Sequence, residues 1–260
     1  MIFKRVVAKL RAQDWGAITI ELGIVVLGVF IGTLVANANQ GRLQARETRQ
    51  LLEQIKPDLE RLSANFGYQE RYYATTRRYA DVALAGWRGD PKVSDRDFVI
   101  AAYQGSQIYA LTFDSATWAS IVGGDQVRSI DDGKLRHELA QVLYADYSPI
   151  KTTNLFTDYR KNVRRVIPLT IQERIRARCG DRTTAYGDGA TLPATCDLAI
   201  DLGEAAAAAA KLRAHPELVD DLDYHFTVVT VALIASRGTN AVIQALLPDI
   251  DRYVGRWSAS

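Results

Sequence analysis

Charge of one sign, histidine, cysteine and proline are all scarce in this sequence, and each scarcity closes off a class of function. Lysine and arginine total 32 against 30 aspartates and glutamates, a formal net charge of +2. Nucleic-acid binders carry a pronounced basic footprint, so no nucleic-acid partner is expected. His137, His215 and His225 are the only histidines, and none stands in an HExxH pattern, which leaves zinc-protease chemistry without a motif. Cys179 and Cys196 are the only cysteines and do not form a CxxC pair, so a thioredoxin-like role is not indicated. No GxxxxGK[ST] loop is present, Gly123-Gly124 reads as a helix stop, and Ser120 in TWASIVGG does not occupy a GxSxG elbow. Seven prolines in 260 residues, most of them isolated, argue against a many-turned all-β fold. The expectation is therefore no cofactor, no metal and no catalytic residue identifiable by motif.

What the chain does have is one long apolar run. Trp15 to Ala36 reads WGAITIELGIVVLGVFIGTLVA, long enough as a helix to cross about 30 Å of hydrocarbon. A transmembrane helix is predicted over 15–38 and an extramembrane domain over 39–260. Ahead of the span, residues 1–14 place Lys4, Arg5, Lys9 and Arg11 against Ile2, Phe3, Val6, Val7 and Leu10. That pattern suits a short amphipathic segment on a lipid surface, with Trp15 as an interfacial aromatic. Glu21 is the one ionisable group in the run. It is a candidate intramembrane polar contact, or alternatively reaches headgroups and water near the interface. Gly28, Gly32 and Ala36 recur at fours and form a candidate helix–helix contact. The rival reading is a signal peptide cleaved at Ala36-Asn37-Ala38, which the length of the run and Glu21 disfavour.

Orientation rests on two clues. The basic flank precedes the span, although Arg42, Arg46 and Arg49 follow it and weaken the bias. Cys179 and Cys196 bracket a polar, turn-rich stretch, so they read as a disulfide closing a loop within 176–202, the alternative being two buried thiols. A disulfide requires an oxidising compartment. The expected placement is a bacterial inner membrane, N-terminus cytoplasmic and C-terminal domain periplasmic.

Beyond the span the periodicity is helical. Leu52, Ile55, Leu59, Leu62 and Phe66 are spaced by threes and fours, and Tyr73, Ala80 and Trp87 extend the stripe. Pro57, followed by Asp58 and Glu60, predicts a helix restart and a bend after Lys56. Ser94 is expected to cap a helix to about Tyr109, Asp114 a shorter one ending at Gly123-Gly124, and Asp131 or Asp132 the next. Breaks are expected at Pro149 and near Pro168. Gly203 opens an alanine run of high helix propensity. Pro216 starts a long helix with Leu218, Leu222, Phe226, Val229 and Leu233 inward, interrupted at Gly238. No stretch shows strand alternation. The fold class is all-α: a single N-terminal transmembrane helix followed by an extramembrane helical bundle.

Two stretches resemble a family of uncharacterised bacterial single-pass membrane-anchored proteins. One is Glu21-Leu-Gly-Ile-Val-Val-Leu-Gly-Val-Phe-Ile-Gly32 with Asn37 and Asn39, where Ala38 replaces the family's frequent tryptophan. The other is Ser115-Ala-Thr-Trp-Ala-Ser-Ile-Val-Gly-Gly124, then Val127-Arg-Ser-Ile130 and Leu135-Arg-His-Glu-Leu139. The resemblance covers about a quarter of the chain. It implies an inner-membrane anchor with a helical outer domain, and no activity.

Two clusters combine arginine with tyrosine: Tyr68 to Tyr79, containing Arg77 and Arg78, and Tyr159 to Arg165, containing Arg160, Arg164 and Arg165, with Arg174, Arg176 and Arg178 behind it. Guanidinium groups hold phosphate or carboxylate, so these arginines are candidate anion contacts, the alternative being a solvated basic face. The functional reading is a non-enzymatic binding, scaffold or sensory protein, in contact with membrane lipid and with a membrane protein or a second copy. The alternatives are an envelope enzyme with a dispersed site near His215–His225, or a structural protein oligomerising through the span.

Overall fold

The computed structural model describes residues 15–111, 115–124, 126–184 and 189–256, with side chains from residue 20 onward apart from Glu21. The amphipathic segment over 1–14, the Asp114 cap and the side chains of Trp15 and Glu21 lie outside the described residues.

Among the described residues eight α-helices account for nearly all of the structure. They are α1 (Trp15–Trp87), α2 (Asp95–Gln104), α3 (Ala116–Gly123), α4 (Gly133–Leu143), α5 (Asp158–Val166), α6 (Leu169–Cys179), α7 (Leu202–Arg213) and α8 (Glu217–Arg256). The fold is all-α. One departure from the sequence reading is a minimal hairpin, β1 (Arg182–Thr183) and β2 (Ala190–Thr191), antiparallel with Arg182 opposite Thr191.

α1 is one helix of 73 residues passing through two environments. From Leu22 to Val35 its large apolar side chains are exposed. From Ala45 onward one stripe is covered: Leu52, Ile55, Leu59, Leu62, Phe66, Tyr73 and Ala80 are each at most 3 % exposed. Threes and fours put those residues on a single face, and the bundle of this same chain covers that face. The bend expected at Pro57 is not a break, because α1 is continuous through it. Pro57 has no N–H for the Glu53 carbonyl, which costs a hydrogen bond. Ile55 and Leu59 on either side are fully buried, and Asp58 accepts from Arg61 at 2.7 Å and from the Ser115 hydroxyl. Tertiary packing therefore outweighs the local preference.

α8 runs back along α1. Arg237 pairs with Glu70 at 2.6 Å, Gln244 donates to Ser63 at 2.5 Å and Lys56 pairs with Asp251 at 2.5 Å, so the two helices are antiparallel. α8 is long and apolar enough to cross a membrane; one stripe of it, Leu222, Phe226, Val229, Ile243, Leu246 and Ile250, is buried against the rest of the chain, while Val231 and Ile234 are exposed. The interruption expected at Gly238 is absent. A glycine in an exposed helix costs only about 1 kcal/mol relative to alanine, and Ser236 and Ile243 on either side are buried.

The caps follow side-chain chemistry. Ser94 accepts from Asp97 N at 3.1 Å and Asp132 from Lys134 N at 3.0 Å, as expected. α3 is capped by Ser115, whose hydroxyl accepts from Trp118 N at 3.0 Å. α7 is capped by Asp201, which accepts from Gly203 N and Glu204 N. α2 stops at Gln104 rather than Tyr109. Its C-cap is Gly105, where a Cβ would lie 3.2 Å from Ala101 O and 3.4 Å from the Ala80 backbone. In α7 the alanines at 205, 208 and 209 are buried, and Trp87 Nε1 donates to Leu212 O at 3.0 Å, tying α7 to the end of α1.

α1 and α2 cross closely at Gly86. A Cβ there would lie 2.2 Å from Phe98 Cδ2, on a ring already held edge-to-face by Trp87 at 5.0 Å and capped by Arg213 at 5.1 Å. Gly86→Ala gains about 1 kcal/mol of helix propensity but forces apart a packed contact at a cost of about 1–3 kcal/mol, so a net loss in thermal stability is expected. Gly67→Ala, whose Cβ would meet only the end of Arg71 at 3.5 Å, serves as the control and should leave the melting temperature unchanged or raised. A melting temperature for Gly86→Ala at or above wild type would contradict the crossing.

Candidate functional site

The five candidate anion contacts do not converge. Arg77 pairs with Asp81 at 3.1 Å and lies over the Phe226 ring, and Arg78 donates to Thr75 Oγ1 at 3.0 Å. Arg165 is exposed, with no polar contact to described residues. Arg160 and Arg164 do come together. They stand four apart on α5 and so share a face.

That face looks onto the C-terminal end of α2. Tyr159 OH donates to Ala102 O at 2.8 Å and, with buried Val163, seats α5 there. Arg160 Nη1 donates to Ser106 O at 2.6 Å and to Gln107 Oε1 at 3.3 Å. Arg164 Nη2 reaches the same Gln107 oxygen at 2.8 Å, and its Nε reaches Ser106 Oγ at 3.3 Å. Both guanidinium groups are half-buried and lie over rings, Arg160 over Phe156 at 5.3 Å and Arg164 over Tyr103 at 4.7 Å. Gln107 is oriented by donating to Gln104 Oε1 at 3.2 Å, and Gln104 in turn donates to Cys179 O at 2.7 Å.

The outer rim comes from α6 and the residues after it. Arg176 is exposed and donates to Tyr103 OH at 3.3 Å. Asp181, also exposed, accepts from Tyr72 OH at 2.8 Å. Burial, and next the neighbouring Arg164 charge, lower the Arg160 pKa to about 10. Burial and the charge of Arg176 lower that of Arg164. The Asp181 carboxyl is raised by desolvation, against the opposing pull of Tyr72, Arg160 and Arg164. This basic cluster thus gathers three arginines, two of which act electrostatically on one carboxylate. Arg160 and Arg164 were identifiable from composition. Tyr72, Tyr103, Gln107 and Asp181 were not, since no local pattern links them.

The cysteines are joined. Cys179 and Cys196 form a disulfide with Cα atoms 5.5 Å apart. The bond ties the end of α6 to the segment leading into α7, with the hairpin between. It thereby holds the turn that carries Asp181.

The His215–His225 cluster is not assembled. His225 is fully buried, with Nδ1 2.8 Å from Thr157 Oγ1, beside the rings of Tyr159 and Phe226. His215 is exposed at the start of α8, 2.7 Å from Glu217, and Asp221 accepts from Asn162 at 2.9 Å. Among the described residues no three His, Cys, Asp or Glu side chains gather as a metal site would require. Periodicity could have placed His225, which falls on the same stripe as Leu218, Leu222 and Val229. On α1, Gly28, Gly32 and Ala36 are exposed, and a Cβ at Gly28 or Gly32 would meet nothing within 4 Å. No family model, curated protein or solved structure matches the chain, so its chemistry is read from the geometry alone.

Two stability predictions follow from these contacts. Replacing both cysteines with serine removes a cross-link worth about 3 kcal/mol for a loop of this size, and should lower the melting temperature by roughly 6–12 °C. Thiol labelling of the unreduced, denatured wild type should find no free thiol, and two labelled cysteines would contradict the bond. The second concerns His225, whose pKa burial, and secondarily Arg160, lower to about 4. In the unfolded chain the imidazole takes up a proton near pH 6.5, so its contribution is intact above that pH. It is lost as pH falls towards 4, at roughly 1.4 kcal/mol per pH unit at most. His225→Gln should flatten the decline in stability between pH 6.5 and 4, measured by denaturant titration at each pH. An identical pH slope in the two proteins would contradict a neutral buried imidazole.

Proposed function

We propose that this is a single-pass inner-membrane protein whose helical domain is a non-enzymatic binding or sensory module on the periplasmic side. One observation carries the reading. A single uninterrupted helix, α1, exposes a run of large apolar side chains from Leu22 to Val35 and then buries a stripe in the domain from Ala45. Lipid gives such a run a solvent in which its exposure costs nothing, whereas water does not. The disulfide supports an oxidising compartment for the domain, and the resemblance of the span to anchored bacterial proteins points the same way. Lipid surrounds the span in this reading, and the Gly28–Gly32–Ala36 face offers a close approach to a helix of another membrane protein or of a second copy. Because Tyr72, which donates to Asp181 of the basic cluster, lies on α1, an event at the cluster acts directly on the helix that crosses the bilayer.

A C-terminal alkaline phosphatase fusion should be active and a C-terminal fluorescent protein that folds only in the cytoplasm should be dark. The untagged chain should stay in the membrane pellet after alkaline carbonate extraction. A bright fluorescent fusion or release into the supernatant would overturn the reading.

A further inference from the structure

The basic cluster carries more positive charge than its one carboxylate offsets. Arg160 and Arg164 are held together by one shared acceptor, Gln107 Oε1, and Arg176 stands at the rim on Tyr103 OH. Asp181 sits within electrostatic reach of Arg160 and Arg164. Yet no ion pair, by a 4.0 Å nitrogen–oxygen limit, joins it to any of the three arginines. Each side is held back by its own bonds: the arginines by Gln107 and Ser106, the carboxylate by Tyr72. Nε and Nη2 of Arg160 and Nη1 of Arg164 carry no hydrogen bond to described residues. Three guanidinium groups against one carboxylate leave an excess of positive charge. The rim residues, Arg176 and Asp181, are exposed, so a dissolved anion can reach the cluster.

We propose that this cluster binds a protonated tetrahedral oxyanion, of which hydrogenphosphate is the simplest. The excess charge and the idle guanidinium donors fit a dianion with several acceptor oxygens. The carboxylate selects among such anions. Asp181 Oδ1 already accepts from Tyr72, and Oδ2 can only accept. Hydrogenphosphate keeps an O–H to donate to it, whereas sulfate at neutral pH has none and would set lone pairs against lone pairs. The source is a free anion rather than a lipid headgroup. From Ala36 to Tyr72 the helix rises about 54 Å, well beyond the headgroup layer of a bilayer about 40–45 Å thick in all. The proposal rests on reading the domain as a binding module and names the ligand it takes.

The test is isothermal titration calorimetry on the purified full-length protein in detergent, in a low-chloride buffer at neutral pH. Inorganic phosphate should bind with Kd below about 1 mM, and sulfate at least about tenfold more weakly. Arg160→Gln removes a half-buried, bonded side chain and risks misfolding, so the two exposed rim residues carry the decision, with melting temperature checked for each. Arg176→Gln should weaken phosphate about tenfold. Asp181→Asn supplies a donor in place of an acceptor and should narrow the phosphate-to-sulfate ratio by at least about tenfold, an effect that a purely structural carboxylate would not produce. In nanodiscs, exchanging phosphatidylcholine for phosphatidic acid should leave phosphate binding unchanged. The proposal is overturned by no phosphate binding at about 10 mM, by sulfate binding as well as phosphate, by an unchanged ratio in Asp181→Asn, or by loss of phosphate binding in phosphatidic acid nanodiscs. The titration is blind to membrane orientation, so its failure and the failure of the fusion experiment are separate results.

Discussion

Burial of one stripe of α1 against the antiparallel α8 is the interaction on which the rest of the structure depends. Leu52, Ile55, Leu59 and Leu62 are all but sealed from solvent, and a fully buried aliphatic side chain of that size is worth about 1.5–3 kcal/mol. Four in succession outweigh what Pro57 and Gly238 cost their own helices, so both helices remain continuous rods. Pairs along their length, from Lys56–Asp251 to Glu70–Arg237, hold the register. Such exposed pairs contribute little energy, and their role is to set alignment rather than stability. α2 then packs on α1 at Gly86, α7 packs on α2 through alanines, and α5 closes on the end of α2.

Cations collect at that end of α2 for a reason the backbone supplies. The C-terminus of a helix presents carbonyls without helical partners and the negative end of the helix dipole. Ser106 O, just past α2, accepts directly from Arg160. Arginine tolerates such a site better than lysine because its guanidinium is weakly hydrated, planar and able to lie on a ring, as Arg160 and Arg164 do on Phe156 and Tyr103. The hydrogen bonds offset part of the desolvation cost, and a single carboxylate offsets part of the charge. The remainder is what makes the cluster chemically distinctive.

The architecture also fixes how the basic cluster is linked to the rest of the chain. Tyr72, which holds Asp181, is a residue of α1, and the Tyr73 hydroxyl of the same helix accepts from Tyr109 N at 3.0 Å. Asp181 follows the disulfide-bonded Cys179, whose carbonyl is itself bonded by Gln104. The carboxylate is thus braced from three sides: by the long helix, by α2 and by the cross-link.

By itself the sequence determined whatever depends on local periodicity and spacing: the apolar run, the stripe from Leu52 to Ala80, the caps at Ser94 and Asp132, the helical class and the pairing of the only two cysteines. These were legible because the physics acts within a few residues along one helix, or, for the disulfide, because no other partner existed. Only the tertiary structure decided that α1 and α8 run through Pro57 and Gly238, since a local preference of about 1–3 kcal/mol gives way to packing between residues far apart in the chain. It also decided which arginines matter. Arg77 and Arg78 are as rich in tyrosine neighbours as Arg160 and Arg164, yet the first pair faces solvent and the second faces α2. No short-range signal joins Tyr72 to Asp181, 109 residues away, because the cluster's charge balance is set by which surfaces the long helices bring together.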